Sequence, residues 1–392
     1  MPRPPAADPK EHNASVRLSG SEKHIVETRM RELGISSVGE YVRKLIQQDG
    51  AGTRPKAAVA AKGKKTPLKR FLTTPHGAIW NGNSIDHMNK ANAKSVDLIM
   101  TSPPFGLVRK KSYGNEDAHN YCDWFRPFAE GFRKVLKDQG SLVIDVGGAW
   151  KKGSPSRSLY HFELLLMLCN DYGFHLCQEH YWWNPSKLPA PAEWVNIRRV
   201  RVKDAVNCVW WLSPTPWPKA SNRRILAPYS DSMRDLLING YQAKTRPSGH
   251  RISKKFGVDN GGAIPPNLLA IANTESNGVY QDFCRNNNHT IHPARFPALL
   301  PEYFIRMLTN PGDRVLDPFA GSCVTGMVAE ALGRHWDCVE MNRNFLEGAA
   351  GRFEGTVSDN AGTKPSSYFI HTPCGAGAPD AKLVSDGGRT SP

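Results

Sequence analysis

The sequence predicts an α/β fold on a mixed, mostly parallel sheet, and two observations lead to this prediction. From about residue 76, strand-like and helix-like patterns alternate, as they do in parallel sheets. Several hydrophobic runs also end in acidic or small residues followed by turns, which is where such sheets bind ligands. The expected strands cover residues 96–100, 141–146, 205–212, 314–316 and 336–339. The expected helices cover residues 122–136, 160–172, 300–308 and 325–332.

Residues 15–49 predict a small separate module. Apolar and polar residues alternate over residues 15–19, and two helical patterns follow, the second opened by an S-x-x-E capping box at Ser37 and Glu40. One short strand and two helices cannot form a stable core alone, so two copies are expected to pair their strands. The segment resembles the ribbon-helix-helix family of DNA-binding domains, which implies a homodimer with Arg17 facing the bases. The alternative is an ordinary helical hairpin.

Four other segments stand out by composition. Residues 1–14 are Pro-rich and polar, and residues 356–392 are small and polar, so both are expected to be disordered. Residues 50–70 hold seven Lys or Arg and no acidic residue, which indicates a basic linker able to contact phosphates or simply solvated. The irregular stretch 213–290, rich in Pro, Gly, Asn and basic residues, is interpreted as a recognition region.

The charge balance points to a polyanionic partner. The net charge is +15 and the pI is about 9.5, which favours nucleic acid. No apolar run is long enough to span a bilayer and no secretory signal is recognisable, so a membrane partner is not expected. The eight cysteines include no C-x-x-C pair, so we expect no metal site and reduced thiols in a cytoplasmic, nucleoid-associated protein.

A strand, an acid and a small-residue turn succeed one another at residues 314–326. Asp317 ends the strand, and the turn that follows lets the backbone approach a ligand closely. A second strand about twenty residues later ends in Glu340, which is suited to accept hydrogen bonds from two ribose hydroxyls. Alone, each acid is more often a turn former or a helix cap. Together with the turn they predict an adenosine-containing cofactor, although the spacing is not that of a dinucleotide site.

A second chemical loop follows the buried strand at residues 96–100. Pro103 and Pro104 fix the backbone and donate no hydrogen bonds, so nearby carbonyls stay free as acceptors. The Ser102 hydroxyl and the Pro103 carbonyl are placed to accept the two N–H bonds of an exocyclic base amine. Phe105 is placed to stack on a flipped base. A plain rigid turn is the alternative, because Pro-Pro turns are common.

Asp145 ends another predicted strand, residues 141–146. If this strand neighbours the one before Ser102, the carboxylate can hydrogen-bond the Ser102 hydroxyl and help to receive a proton from the amine. A cap on the following segment is an equally weighted alternative.

The order of these loops resembles the β class of DNA amino-methyltransferases, which is circularly permuted. Here Ser102-Pro103-Pro104-Phe105 comes first, then His292-Pro293, then the loop from Asp317 to Gly321. The resemblance implies a Rossmann-like S-adenosylmethionine-dependent methyltransferase that acts on double-stranded DNA. In this class, Ser before Pro-Pro implies methylation of cytosine N4, whereas Asp or Asn there implies adenine N6.

Longer matches over residues 71–355 resemble the PvuII type of these enzymes more specifically. The matching segments are 109–111, 184–189, 201–206, 244–250 and 259–262. This resemblance implies a CAGCTG-like palindrome methylated at the inner cytosine, either with a cognate restriction endonuclease or as a solitary modification enzyme. The alternatives are an adenine-N6 enzyme of the same fold and a catalytically silent DNA-binding regulator.

The resemblance and the loops together assign the chain and its sites. The expected divisions are 1–14, 15–49, 50–70, a catalytic half at 71–212, target recognition at 213–290, a cofactor half at 291–355, and 356–392. The catalytic residues are Ser102, Pro103, Pro104, Phe105 and Asp145. The cofactor residues are Asn83, Ser84, Thr101, His292, Pro293, Asp317, Phe319, Gly321, Ser322 and Glu340. The DNA-binding residues are Arg17, Arg109, Lys110, Lys111, Lys187, Arg198, Arg199, Arg201, Arg246 and His250.

One departure from the family bears on the cofactor. Family members usually carry Gly-Asp upstream of the catalytic strand, whereas this chain has Gly82-Asn83. An amide still hydrogen-bonds adenosine but brings no charge, so cofactor affinity is the property expected to differ.

Overall fold

The computed structural model describes residues 20–42, 67–106, 118–240, 257–274 and 278–354. The chain divides into two compact units, Met1–Ala60 and Ala61–Pro392.

The first unit contains helix α1, Gly20–Glu32, followed by helical residues 38–42. The backbone N–H of Glu40 donates to the Ser37 hydroxyl oxygen at 3.2 Å, so the Ser37 cap expected at the start of the second helix is confirmed. The strand expected at residues 15–19 lies outside the described residues. The ribbon-helix-helix-like module therefore stays a prediction.

The second unit is built on one sheet of nine strands in the order β1-β2-β9-β8-β3-β4-β6-β5-β7 within the described part of the chain. The strands are β1 Lys69–Thr73, β2 Gly77–Asn81, β3 Val96–Thr101, β4 Leu136–Val146, β5 His175–Trp183, β6 Val206–Ser213, β7 Leu268–Ala270, β8 Arg314–Asp317 and β9 His335–Glu340. The helices are α2 Ser84–Lys90, α3 Tyr121–Val135, α4 Tyr160–Asn170, α5 Asp231–Asn239, α6 Val279–Asn286, α7 Leu299–Leu308, α8 Val324–Ala331 and α9 Arg343–Ala349.

The centre of the sheet is parallel. Strands β2, β9, β8, β3 and β4 all run the same way, whereas β1 pairs antiparallel at one edge. At the other side β6 runs antiparallel to both β4 and β5, and β7 pairs parallel with β5. The predicted mixed, mostly parallel α/β sheet is therefore confirmed.

Every strand and helix expected between residues 96 and 339 is present, with ends that shift by at most five residues. Four strands, β1, β2, β5 and β7, were not expected. Strand β5 carries five residues that are exposed, interleaved with half-buried and buried ones, so it lacks the hydrophobic run that marks the central strands.

Strand β3 is the best-buried strand, with all six residues buried. Leu98 belongs to one hydrophobic cluster with Phe304 and Val328, and Ile99 belongs to the other with Phe125. Since successive side chains of a strand point to opposite faces, helices cover the sheet on both sides of β3. The carboxyl end of β3 is therefore held by close packing on two faces.

Candidate active site

Two consecutive residues at the end of β3 connect it to both neighbouring strands. The Thr101 hydroxyl donates to Asp317 Oδ1 at 2.7 Å, and the Ser102 hydroxyl donates to Asp145 Oδ2 at 3.0 Å. Asp317 ends β8 and Asp145 lies near the end of β4. The hydrogen bond between Ser102 and Asp145, expected if their strands were neighbours, is confirmed. The loop that begins at Ser102 and the loop that begins at Asp317 thus meet at one strand end.

The Asp145 carboxylate is buried and has two side-chain donors. Besides Ser102, the Asn207 amide nitrogen donates to Asp145 Oδ1 at 3.0 Å. Burial raises the pKa of Asp145 to about 6, opposed by the hydrogen bonds from Asn207 and Ser102 and by the charge of Lys187. At neutral pH the group is mostly ionised and still close enough to its pKa to take up a proton.

The Pro-Pro-Phe segment after Ser102 packs on the loop that follows Asp145. Pro103 is buried, while Pro104 and Phe105 are half-buried. A Cβ on Gly147 would lie 2.5 Å from Phe105 Cε2, so only glycine lets the ring rest on this backbone. The Tyr160 hydroxyl donates to the Gly147 carbonyl from helix α4. This contact fixes the loop against which Phe105 rests.

The Asp317 carboxylate is fully buried and accepts three hydrogen bonds. Thr325 Oγ1 donates to Oδ2 at 2.7 Å, and the Phe319 backbone N–H and the Thr101 hydroxyl donate to Oδ1. Burial raises the pKa of Asp317 to about 6 in spite of these donors. The carboxylate thereby fixes the start of helix α8 and the turn before it.

Glu340, at the end of β9, faces the same turn. Its Oε2 accepts the backbone N–H of Gly321 at 3.0 Å, and its Oε1 accepts that of Asn342 at 2.7 Å. Burial raises the pKa of Glu340. Each oxygen keeps a lone pair, because a carboxylate oxygen accepts more than one hydrogen bond. In the same turn, the Phe319 ring packs in an aromatic cluster, with its centroid 4.7 Å from that of Phe128.

The segment at His292 closes the other side of the turn. A Cβ on Gly321, whose φ is +51°, would lie 3.0 Å from His292 Nε2, so the imidazole rests on the glycine. The His292 backbone N–H donates to the Tyr280 hydroxyl at 3.0 Å. Burial lowers the pKa of His292 to about 4, so the ring is neutral at pH 7. Pro293 is exposed beside it.

Asn83 and Ser84 lie at the end of β2, beside Glu340. The Gly82 N–H donates to the Glu340 carbonyl at 3.0 Å, and Asn83 Oδ1 accepts the Ile85 N–H at 2.9 Å. Asn83 therefore caps helix α2 with the same kind of oxygen that Asp would supply. Ser84 is buried in the first turn of that helix.

Ser322 is held by an arginine that the sequence patterns did not indicate. Arg352 Nε donates to the Ser322 carbonyl at 2.7 Å, and its guanidinium lies 4.4 Å from the Tyr280 ring centroid. Asn207, Thr325 and Tyr160 were likewise not expected in the site. No short motif marks Arg352, Asn207 or Tyr160, since each reaches the site through strand order or helix packing, whereas Thr325 lies within the segment 314–326.

The described basic residues differ in their surroundings. The charge of Lys187 acts on Asp145 and opposes the rise in the pKa of that carboxyl group. Arg201 stacks on the Trp150 ring, 3.9 Å from its centroid, and Arg198 lies 5.2 Å from the Trp194 centroid while pairing with Glu193. Arg199 is exposed, with φ of +53°. The other expected DNA contacts lie outside the described residues: Arg17, Arg109, Lys110, Lys111, Arg246 and His250.

Two further findings concern the described residues alone. They contain no group of three His, Cys, Asp or Glu side chains able to hold a metal ion. None of their helices combines the length and apolarity needed to cross a membrane.

The sheet order and the two loops flanking β3 have the architecture of a Rossmann-like methyltransferase. The sequence profile described as DNA methylase matches residues 96–351. The chain belongs to this DNA methylase family.

Individual relatives agree with this assignment. The chain is 52% identical over 288 residues to the type II methyltransferase M.PvuII of Proteus hauseri, covering 73% of this chain and 86% of the relative. The solved structure of the PvuII DNA methyltransferase (cytosine-N4-specific) matches with a TM-score of 0.59 and 44% identity, covering 74% of this chain and 90% of that one. The DNA adenine methyltransferase YhdJ of Escherichia coli strain K12 is 25% identical over 280 residues, covering 69% of this chain and 80% of the relative.

Proposed function

We propose that this protein methylates N4 of cytosine in duplex DNA, with S-adenosylmethionine as the methyl donor. The observation that carries the proposal is the hydrogen bond from Ser102 to the buried Asp145 at the head of the Pro-Pro-Phe segment. The 52% identity to M.PvuII and the match to the solved cytosine-N4-specific PvuII methyltransferase support the same acceptor. The target implied by that likeness is a CAGCTG-like palindrome.

The cleft at the ends of β8 and β9 suits the adenosine part of the donor. Glu340 offers lone pairs to two ribose hydroxyls, and the half-buried Phe319 ring offers an apolar face. Asn83 and Ser84 line the neighbouring strand end, and His292 covers Gly321. S-adenosylmethionine supplies an electrophilic methyl group on a sulfonium centre.

The acceptor side follows from the hydrogen-bond directions. Because Ser102 donates its own hydrogen to Asp145, the lone pairs of its oxygen are available to an amine N–H. The Pro103 carbonyl accepts the second N–H, so the amine lone pair turns out of the ring plane. The new N–C bond forms as the C–S bond breaks, and the bonding pair stays on sulfur. The proton lost from nitrogen passes through Ser102 to Asp145.

The target base must leave the helix to reach this site. In the proposed complex the cytosine is flipped out and Phe105 stacks on it, since Ser102 and Phe105 are half-buried and a base paired within the duplex would not reach them. Lys187, Arg198, Arg199 and Arg201 hold the phosphates of the duplex, with the basic residues outside the described ranges.

The identity of the methylated base tests the acceptor directly. DNA carrying one CAGCTG site is incubated with the protein and donor, digested, and examined by mass spectrometry. N4-methylcytosine at the inner cytosine is expected, and a control duplex with that cytosine replaced takes up no methyl group. N6-methyladenine as the sole product would overturn the assignment.

The role of Ser102 is tested by Ser102→Ala. Loss of the hydroxyl removes both the amine acceptor and the path to Asp145, so turnover falls by roughly 10²-fold or more. Binding of S-adenosylhomocysteine stays within about twofold, because Glu340 and Asp317 are unchanged. Unchanged turnover would remove Ser102 from the chemistry.

The N-terminal unit supports a separate proposal about partners. Residues 15–49 form a homodimer that adds DNA contacts, and a cognate endonuclease cleaves the same unmodified site. Light scattering of the full chain and of a chain lacking residues 1–60, which leaves strand β1 intact, tests the first part. A dimer that becomes monomeric while methylation remains detectable is expected. An unchanged oligomeric state would contradict it.

A further inference from the structure

Asn207 lies beside the catalytic carboxylate but belongs to neither loop. It is the second residue of β6, which runs antiparallel to β4 with Cys208 opposite Val146. This register brings its side chain next to Asp145, where Nδ2 donates to Oδ1 at 3.0 Å. We infer that Asn207 is a positioning residue for methyl transfer, which holds the Asp145 carboxylate so that Oδ2 receives the Ser102 hydroxyl. The inference rests on the proposed function and deepens it.

The two carboxylate oxygens have one side-chain donor each, from two different strands. Ser102 occupies Oδ2 from the end of β3, and Asn207 occupies Oδ1 from β6. Asp145 is only 1% exposed, so water does not readily replace a missing donor. Without Asn207, Oδ1 would be a buried charged oxygen with no partner. The carboxylate would then be free to rotate, so that either oxygen accepts the Ser102 hydroxyl, or it would take up a proton.

Asn207 also contacts the surface on which Phe105 rests. A Cβ built on Gly147 would lie 3.1 Å from Asn207 Oδ1 and 2.5 Å from Phe105 Cε2. The amide oxygen, the glycine backbone and the phenyl ring are therefore packed together. One side chain of β6 thus contacts both the Asp145 carboxylate and the backbone on which Phe105 rests.

Five groups act on Asp145 from the elements around it. They are Ser102 after β3, Asn207 and Cys208 on β6, Lys187 after β5, and Tyr160 on α4. The Tyr160 hydroxyl donates to Gly147, and burial raises the pKa of Cys208 to about 11, so both are neutral at pH 7. Of the five, Lys187 alone carries a charge there. Asn207 and Lys187 therefore both favour the ionised carboxylate.

The test is the pH dependence of single-turnover methylation in the full chain with saturating donor and DNA. Asn207→Leu keeps the approximate shape and removes the donor. We expect the acidic limb of the rate profile to move up by about two pH units, to about pH 8, so that the rate at pH 7 falls roughly tenfold. At pH 9 the rate recovers to within about threefold of the natural protein, and KM for donor and DNA changes by less than about twofold.

A second variant covers the case in which Asn207→Leu fails to fold. Asn207→Asp has the same shape, but two facing carboxyl groups share one proton, so the limb moves further to alkaline pH than in Asn207→Leu. Asn267→Leu is the matched control, since its amide donates to the Glu179 carbonyl at 2.8 Å on another part of the sheet. Its profile is expected to superpose on that of the natural protein.

The outcomes separate this inference from the proposed function. An acidic limb that stays in place in both Asn207 variants overturns the inference, whether or not the overall rate falls. If Ser102→Ala retains full turnover, the proposed chemistry itself is wrong. A shifted limb with recovery at high pH supports both.

Discussion

Two buried aspartates lie on either side of β3, and the comparison between them contrasts a carboxylate that fixes a backbone turn with the one proposed to take part in the chemistry. Asp145 and Asp317 are each 1% exposed, and burial raises the pKa of each to about 6. Asp317 accepts three hydrogen bonds, of which two come from the cofactor turn and the helix after it. Asp145 accepts two, one of them from Ser102, the serine proposed to face the acceptor base.

The two aspartates differ in whether their hydrogen-bond donors are accessible to a ligand. The hydroxyl of Thr325 and the N–H of Phe319 belong to the packed start of α8, so Asp317 holds a backbone shape. Ser102 is half-buried and keeps oxygen lone pairs for a ligand. Equal burial and an equal pKa shift therefore do not identify a catalytic group. What distinguishes Asp145 from Asp317 is that Ser102, its hydrogen-bond donor, is accessible to a ligand.

Replacing the chemical carboxylate is expected to have the largest effect. Asp145→Asn preserves shape and the contact with Ser102 but receives no proton, so single-turnover methylation slows by roughly 10²–10⁴-fold. Calorimetry with S-adenosylhomocysteine gives the control, with affinity within about twofold because Glu340 is untouched. Methylation within about fivefold of the natural rate would remove the distinction between the two aspartates.

Replacing the structural carboxylate affects folding first. Asp317→Ala leaves two hydroxyls and one backbone N–H without their acceptor, which lowers the free energy of unfolding by about 4 kcal/mol. Urea denaturation followed by tryptophan fluorescence measures it. Asp145→Asn, tested alongside, changes the free energy of unfolding at pH 7 in the stabilising direction. Equal destabilisation by both would contradict the comparison.

The pH dependence of stability isolates Asp145. Its pKa rises from 3.8 to about 6 on folding, so the folded state holds a proton more tightly than the unfolded state. Stability from this group is present below pH 4 and is lost as pH rises to 6. Relative to Asp145→Asn, the natural protein should lose about 3 kcal/mol across that window. Urea midpoints at pH 4, 5, 6 and 7 test this, and a constant difference between the proteins would refute it.

The smallest effect is expected at the neighbouring threonine. Thr101→Val removes one of the three donors to Asp317, which costs about 1.5 kcal/mol of unfolding free energy. Turnover stays within about threefold, because the hydrogen bond between Ser102 and Asp145 is separate. Thr101→Ser, which keeps the hydroxyl, is the control. A turnover loss as large as that of Ser102→Ala would show that the two halves of the site are not independent.

Much of this arrangement was predictable, because parallel strands bring their carboxyl ends to one edge. The acidic ends at Asp145, Asp317 and Glu340 followed from hydrophobic runs that stop at a charged residue. The adjacency of β3 and β4 was not predicted; it was the condition under which a hydrogen bond between Ser102 and Asp145 was expected. The N-terminal strand and several basic residues fall outside the described ranges and remain predictions.

Asn207 and Tyr280 were not predictable, for a physical reason. Strand β6 reaches Asp145 by running antiparallel on the far side of β4, and nothing in the local pattern of residues 205–212 encodes that neighbour. Tyr280 reaches His292 through the packing of α6. Periodicity reports which residues are buried, but contact across the sheet depends on strand order, which single-chain patterns determine poorly.

The adjacency of Thr101 and Ser102 has a consequence for alignment. Thr101 hydrogen-bonds Asp317 on the side proposed for the methyl donor, and Ser102 hydrogen-bonds Asp145 on the side proposed for the acceptor base. One planar peptide unit joins these two residues, so their Cα atoms are about 3.8 Å apart. Reacting atoms in a methyl transfer must approach to about 3–3.5 Å. The peptide unit between Thr101 and Ser102 therefore fixes part of the distance between the proposed donor and acceptor sites. Thermal motion of the surrounding loops changes that part of the distance little.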